Sequence, residues 1–335
     1  MREFSVKLKD FLLNQNNSST GLAKDLSDLL NLSRDSVYRR LRGEASFTID
    51  EAVIIGKEYK ISLDLLMSSE NNTFGTYRFR PLYEAETKFS ENVRAVTKLL
   101  SYFQKQQGNL CYVAEAFPIF RLLETEKLRD FAVYYWKKVI LNYPSHQFIK
   151  FDEDYFIPQE YLIIVEDLVK QYQSVDLVEI WTKETIQKLL FQIEYAVESG
   201  FISSQDIIND LYSELEALLL SVNHQAQSER NKLEGNFALY DCEIQLENNC
   251  VYAESELVTN CFLNFNNFNN LSIGDEIFNQ EVTMWIKNLK ARSVQISGQA
   301  EKRRNQFFLA QSKMVQASLE RSKAFISDNL SLSAR

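Results

Sequence analysis

Glycine and proline are scarce in this chain of 335 residues, with only nine and four copies. Folds built from many tight turns need these residues for positive φ angles and for chain reversal, so their scarcity favours long helices with few breaks. Hydrophobic residues make up 45% of the sequence, which is enough for a sizeable core, and the length suits two or three domains. The composition therefore predicts a mainly α protein.

Histidine is also rare, because the chain has only His146 and His224. Two histidines therefore give little basis for imidazole-based metal or nucleophile chemistry. The four cysteines, at positions 111, 242, 250 and 261, lack CxxC spacing, so we expect free, buried thiols rather than disulfides or a zinc site. The sequence also has no phosphate-binding loop, dinucleotide-binding glycine turn or serine nucleophile elbow. We expect neither enzyme activity nor a cofactor.

Long apolar runs are missing as well. The sequence contains no stretch of 18 apolar residues and no charged-then-apolar N-terminal signal pattern. We therefore expect a cytoplasmic protein that has no membrane partner.

The formal net charge of −9 is unevenly distributed. Residues 1–66 hold ten Lys or Arg and ten Asp or Glu, so the whole acidic excess follows residue 66. Within the balanced segment, four arginines occupy nine positions in "RDSVYRRLR", residues 34–42. A basic cluster in an acidic chain predicts either a contact with an anionic partner or a solvated basic face.

The first seventy residues have the spacing of five short helices. Apolar residues recur at helical intervals in residues 4–12 and 22–30, and a third helix begins after Ser33, a good N-cap. Val37 and Leu41 would face inward in that helix, and Gly43 would end it. "TIDE" at 48–51 predicts a capping box for a fourth helix, and "ISLDLLM" at 61–67 predicts a fifth.

This pattern resembles the repressor/Cro-like (XRE-type) helix-turn-helix family. The matching residues are Leu26-Ser27, Asn31-Leu32-Ser33, Val37 and Gly43. The chain departs from the family at Ala23, where many members have a phosphate-contacting Gln, and at Arg40-Leu41, where an apolar-Glu pair is common. The resemblance implies a five-helix, lambda-repressor-like DNA-binding domain whose third helix enters the major groove.

The resemblance also implies two sets of DNA-binding residues on the third helix. Side chains at the N-terminal end of a recognition helix meet base edges, and arginine there can bond guanine in a bidentate manner. The base-facing candidates are Arg34, Asp35, Ser36 and Arg39. Phosphate contacts, which position a protein without specifying sequence, are expected from Tyr38, Arg40 and Arg42.

The rest of the chain predicts a linker and two further regions. Residues 1–67 form the helix-turn-helix domain, the polar stretch 68–75 suits a linker, and 76–235 is compatible with a helical domain. Residues 236–335 predict a small α+β region that ends in long helices, with strands before about residue 278. "NFNNFNN" at 264–270 favours a loop or edge strand over a binding motif, and the basic cluster Lys302–Arg304 favours a solvated face over an anion contact.

Later segments such as "YVAEAFPIF" and "YYWKKVI" resemble a poorly characterised Bacteroidetes-type group of regulators, which implies nothing about chemistry. The sequence therefore predicts a DNA-binding transcriptional regulator that reads a two-fold symmetric operator as a homodimer. The region after residue 75 would supply the dimer contact and a possible pocket for an unknown small-molecule effector. The alternative is an interaction or sensor scaffold whose helix-turn-helix domain contacts a protein instead of DNA.

Overall fold

The computed structural model describes residues 2–15, 19–59, 61, 77–82, 87–151, 155, 157–266 and 268–333. The chain divides into two units, Met1–Thr76 (unit 1) and Tyr77–Arg335 (unit 2). The predicted linker, 68–75, lies outside the described residues, and so does the predicted fifth helix at 61–67 apart from Ile61.

Unit 1 consists, in its described part, of four helices around one apolar core. These are α1 (Arg2–Gln15), α2 (Ser19–Leu30), α3 (Arg34–Leu41) and α4 (Ile49–Glu58). Residues spaced three or four apart along each helix bury the same face, as an amphipathic helix requires. The buried core residues include Leu8, Leu12, Leu22, Leu26, Val37, Leu41 and Ile55.

Unit 2, in the residues that the structure describes, is organised around one sheet of eight strands. Its strands are β1 (Tyr77–Arg78), β2 (Asn109–Ala114), β3 (Asp176–Trp181), β4 (Phe237–Asp241), β5 (Cys250–Glu254), β6 (Thr259–Asn266), β7 (Asn269–Ile273) and β8 (Val294–Gln295). They lie in the order β1-β7-β6-β5-β2-β3-β4-β8. Strands β2, β3 and β4 are parallel neighbours, and all the other pairings are antiparallel.

Helices cover both faces of this sheet. They are α5 (Thr87–Lys105), α6 (Ile119–Leu122), α7 (Glu126–Tyr135) with a π-helical end at Trp136–Ile140, a 3₁₀ turn at Pro144–His146, α8 (Gln159–Tyr172), α9 (Gln187–Glu198), α10 (Gln205–Ser228), α11 (Glu276–Arg292) and α12 (Glu301–Ser333). The larger core includes Leu110 and Tyr112 of β2 and residues of α5 to α10 and α12. The opposite face includes Cys111 and Val113 of β2 and packs against α11.

The mainly α prediction, with a helical middle region and a small α+β C-terminal region, is wrong. The eight-stranded mixed sheet takes β1, β2 and β3 from residues 76–235 and its other strands from residues 236–335. Both β2 and β3 are central and have helices on each face, so they lack the polar alternation of a half-exposed strand. A short apolar run of that kind cannot be distinguished from a buried helix segment by periodicity.

The four cysteines confirm the expectation of free, buried thiols, since all of them are reduced and buried. All four lie in the core between the sheet and α11. The Sγ atoms of Cys250 and Cys261 are 3.5 Å apart on adjacent strands. Burial raises the pKa of the Cys111 thiol to about 12, so this side chain behaves as a small apolar group.

A buried ionic network connects the sheet to the helices above it. Arg121 of α6 is fully buried and donates through Nε to Glu179 of β3 at 2.9 Å, and through Nη1 to Glu124 at 3.1 Å and Gln225 at 3.0 Å. The Tyr172 hydroxyl donates to the same Glu179 oxygen. Burial lowers the pKa of Arg121, but the two carboxylates outweigh that effect and raise it above its usual value. These hydrogen bonds and ion pairs link α6, α8 and α10 to β3.

Removing Arg121 should destabilise unit 2 far more than removing an exposed cation. In Arg121→Met, Glu179 becomes a buried charge without its main partner, which costs about 3–5 kcal/mol. Lys188→Met, which breaks a partly exposed pair with Glu115, should cost about 1 kcal/mol. Urea unfolding followed by tryptophan fluorescence measures this, since Trp136, Trp181 and Trp285 all lie in unit 2. Equal losses in both variants would contradict the assignment, whereas Arg121→Met/Glu179→Gln should recover part of the loss.

Candidate nucleic-acid interface

The turn between α2 and α3 is short and held by local hydrogen bonds. Asn31 has a φ of 53°, a left-handed conformation that asparagine adopts more readily than most residues. Ser27 Oγ donates to the carbonyl of Leu32 at 2.5 Å, and the Leu32 N–H donates to the carbonyl of Ser27 at 3.1 Å. These bonds determine the direction in which α3 leaves α2.

Both ends of α3 are capped. Ser33 is the N-cap, and its Oγ accepts the Ser36 N–H at 3.2 Å and donates to Ser36 Oγ at 3.0 Å. At the other end Gly43 has a φ of 72°, its N–H donates to the Arg40 carbonyl, and the Glu44 N–H donates to the Arg39 carbonyl. This pair of bonds is the Schellman arrangement, in which a left-handed glycine ends a helix. The caps make α3 a rigid unit of eight residues.

The two faces of α3 differ in chemistry. Val37 and Leu41 are buried, as the sequence predicts. Asp35, Arg39 and Arg42 are exposed and spaced four and three residues apart, so they project from the opposite side of the helix. Arg34, in the first turn, is also exposed, and its guanidinium forms no hydrogen bond or ion pair with any residue in the described ranges. Ser36 and Tyr38 are partly buried at the border between the faces.

Arg40 differs from the other three arginines, because its guanidinium binds inside the unit. Nε and Nη2 donate to the two carboxylate oxygens of Glu51 at 3.1 and 3.2 Å, and Nη1 donates to the Ser36 carbonyl at 3.3 Å. The side chains of Arg40 and Glu51 are only 19% and 15% exposed. Glu51 is also the third residue of the capping box with Thr48. Arg40 therefore fastens α3 to the start of α4.

Glu44 lies beside two of the exposed arginines. Its carboxylate is 2.8 Å from Arg42 Nε and 3.9 Å from Arg39 Nε, and all three side chains are about half exposed. Ion pairs this exposed contribute little to stability because water and salt screen them. A phosphate group could therefore displace Glu44 at low cost.

The seven predicted residues all lie on or directly after α3, but they divide into two environments. Arg34, Asp35, Arg39 and Arg42 are exposed together, whereas Arg40 is bound to Glu51. The partners Glu44 and Glu51 of these arginines were not predicted from the sequence. The "TIDE" motif indicated Glu51 as the third residue of a capping box, and such a residue lies close to the preceding turn. No sequence signal pointed to the Arg39–Glu44 contact.

In the second basic cluster, Lys302–Arg304, the two arginines bind other residues of the protein. Arg303 pairs with Asp241 and Glu243 at 2.7 and 2.8 Å. Arg304 is buried and donates to the carbonyls of Ile296 and Gly298. These two arginines attach the start of α12 to the end of the sheet.

Comparison with models of protein families, with curated proteins and with solved structures found no match for this chain. Among the helices in the described part of the chain, none is both long enough and apolar enough to cross a bilayer. The same residues contain no group of three His, Cys, Asp or Glu side chains arranged to hold a metal ion.

Loss of Arg40 should loosen α4, whereas loss of Arg42 should not. Arg40→Met removes a bidentate, charge-assisted contact whose contribution is on the order of 1 kcal/mol. Amide hydrogen exchange across residues 48–58 of the full-length protein should then become several-fold faster. Arg42→Met removes a cation whose one ion-pair partner among the described residues is Glu44, and it should leave this exchange unchanged. The same acceleration in both variants would mean that Arg40 does not position α4.

Proposed function

We propose that the protein is a sequence-specific DNA-binding transcriptional regulator and that α3 is its recognition helix. The observation that carries this proposal is the face formed by Arg34, Asp35, Arg39 and Arg42. It is exposed and largely basic, and it lies on a capped helix whose other side is buried. A helix with this profile fits the major groove of B-DNA.

The side chains of this face suit different parts of a DNA duplex. Arg34 has no protein partner within the described residues, so its guanidinium can form a bidentate pair with guanine. Asp35 and Ser36 in the same turn can accept from or donate to base edges. Arg39 completes the base-facing set, and Arg42 and Tyr38 would hold phosphates. Arg40 positions α3 against α4 in this proposal, since its guanidinium is bound by Glu51.

A homodimer on a two-fold symmetric operator is part of the proposal. One small helix-turn-helix unit binds weakly, and dimers gain affinity from half-sites about one helical turn apart. Unit 2 offers apolar surface for a dimer contact, including Ile277, Met284 and Trp285 on the outer side of α11. Since chromosomal DNA is the proposed partner, we also propose a cytoplasmic location and no catalytic activity.

The alternative function is a scaffold whose unit 1 contacts a protein partner. The observation that favours it is an apolar stripe on α4, where Ile49 is 82% exposed and Val53 and Ile54 are also exposed. Ile49 and Val53 are four positions apart and lie on one side of the helix, and Ile54 directly follows Val53. A stripe of this kind is typical of a protein contact.

Selection of bound duplexes from randomised DNA tests the two functions. At near-physiological salt the full-length protein should enrich one two-fold symmetric sequence. Arg34→Ala/Arg39→Ala should weaken binding to it at least about tenfold, because each bidentate pair discriminates by roughly 1–3 kcal/mol. Arg42→Ala should instead weaken all sequences alike and lower the salt slope by about one.

Lys57→Ala, an exposed cation near the end of α4, is the control and should leave the selected sequence unchanged. Failure of the folded wild-type protein to enrich any sequence would overturn the DNA proposal and favour the protein-partner function.

Neutralising Glu44 should strengthen DNA binding. Glu44→Gln releases Arg39 and Arg42 from a competing carboxylate, and the exposed pair is worth about 0.2–1 kcal/mol. Affinity for the selected duplex, measured by fluorescence anisotropy, should therefore rise about two- to fivefold. Glu58→Gln changes the net charge equally but contacts none of these arginines, so it should have a smaller effect. Equal gains would mean that net charge alone accounts for the change.

A further inference from the structure

Unit 2 contains an apolar cavity between α5 and one face of the sheet. Its lining includes Val93, Val96 and Leu100 of α5 and Tyr112, Val251 and Phe262 of the strands. The cavity leaves about 60 Å³ open to the centres of water-sized molecules. One water needs roughly 10–15 Å³ measured in this way, so the space exceeds that of a single water. Its largely apolar lining suits methylene groups.

A polar mouth adjoins this cavity. Asn92, Val96, Leu99, Phe262 and Asn270 line both spaces, and the mouth adds about 240 Å³ of the same kind of volume. The cavity and the mouth are therefore parts of one site that is apolar at its inner end and polar at its outer end.

Two arginines, Arg78 and Arg80, line the mouth, and strand pairing accounts for the position of Arg78. Arg78 of β1 lies opposite Ser272 of β7, which itself lies opposite Phe262 of β6. Directly opposed residues in a sheet share a face, so Arg78 lies on the same face as Phe262, which lines the cavity. Arg80 lines the same mouth and donates at 3.5 Å to the carbonyl of Glu91, at the entrance side of α5. Both arginines are exposed, and the side chain of Arg78 has no hydrogen bond or ion pair with a described residue.

The cavity and its mouth also offer amide groups. Asn264 of β6 lies opposite Asn270 of β7, and both line the cavity together with the buried Asn92. Among the described residues, no Asp or Glu lines either space. The site therefore combines an apolar slot, three neutral amides and two cations.

We propose that this site binds a single unbranched aliphatic chain that carries an anionic head group, such as a carboxylate. The chain would occupy the apolar slot below α5, and the head would pair with Arg78 and Arg80. A cation would be repelled at the mouth, and a nucleotide would leave its polar rings in an apolar space. A role as the regulator's effector rests on the proposed function, but binding itself does not.

Calorimetric titration of the full-length protein with sodium octanoate, in the absence of DNA, tests the proposal. Octanoate should bind at one site, and 1-octanol should bind at least about tenfold more weakly because it lacks the charge. Acetate, which lacks the chain, and octylammonium, which has the opposite charge, should not bind measurably. Octyl phosphate should also bind, and its affinity relative to octanoate shows which anionic head the arginines prefer.

Variants identify the site. Arg78→Gln/Arg80→Gln should weaken octanoate about tenfold or more, and both residues are exposed, so the fold should be unaffected. Arg94→Gln, an exposed arginine of α5 that lines neither space, is the matched control and should change affinity less than about twofold. Val96→Phe should fill the slot and abolish binding, with near-UV circular dichroism verifying the fold.

Absence of octanoate binding at millimolar concentration, or binding that the arginine and Val96 variants leave unchanged, would overturn the proposal. Because no DNA is present, a negative result here leaves the DNA-binding proposal standing, and failure of DNA selection leaves this site standing.

Discussion

The pairing of β2 with β3 is the constraint on which unit 2 depends. These two parallel strands align residue by residue from Asn109 opposite Asp176 to Ala114 opposite Trp181. Both strands have neighbours on each side, so each of their two faces must be covered by helices. That requirement places α11 on one face and the larger helical layer on the other. It also places Glu179 under the helices, where Arg121 must accompany it to avoid a buried, unpaired charge.

Much of unit 1 could be predicted from sequence because its signals are local. Ser33, Gly43 and the Thr48–Glu51 capping box act over three or four residues, and the structure has all of them in the expected places. The inward positions Val37 and Leu41 follow from the helical repeat alone. The bidentate contact between Arg40 and Glu51 could not be predicted, because it depends on the angle between two helices and not on either helix alone.

Unit 2 was predicted less well because its decisive contacts are distant in sequence. Helices α8 and α10 lie within residues 76–235, which were predicted to be helical, since amphipathic periodicity identifies such elements. The strands β2 and β3 lacked that signal, and Arg121 and Glu179 are separated by 58 residues. The Asn- and Phe-rich stretch at 264–270 includes the end of β6 and the start of β7, and its cross-strand pair Asn264 and Asn270 lines the cavity. A sequence pattern alone does not reveal such a pairing.

The contrast between the two basic clusters explains why an arginine-rich motif is a weak guide to function. Residues 34–42 and residues 302–304 carry the same signal in the sequence. In the second cluster Arg303 pairs with Asp241 and Glu243, and the buried Arg304 donates to backbone carbonyls, so both arginines have partners within the protein. In the first cluster Arg34 has no partner among the described residues, and Arg39 and Arg42 share one exposed carboxylate. An arginine that a fold leaves exposed on a rigid element, without a buried partner, retains its five donors for another molecule. The Arg78 side chain at the cavity mouth likewise has no partner among the described residues. The arginines of the two candidate ligand sites therefore differ from the structural arginines in having free donors, and the density of positive charge in the sequence does not show this difference.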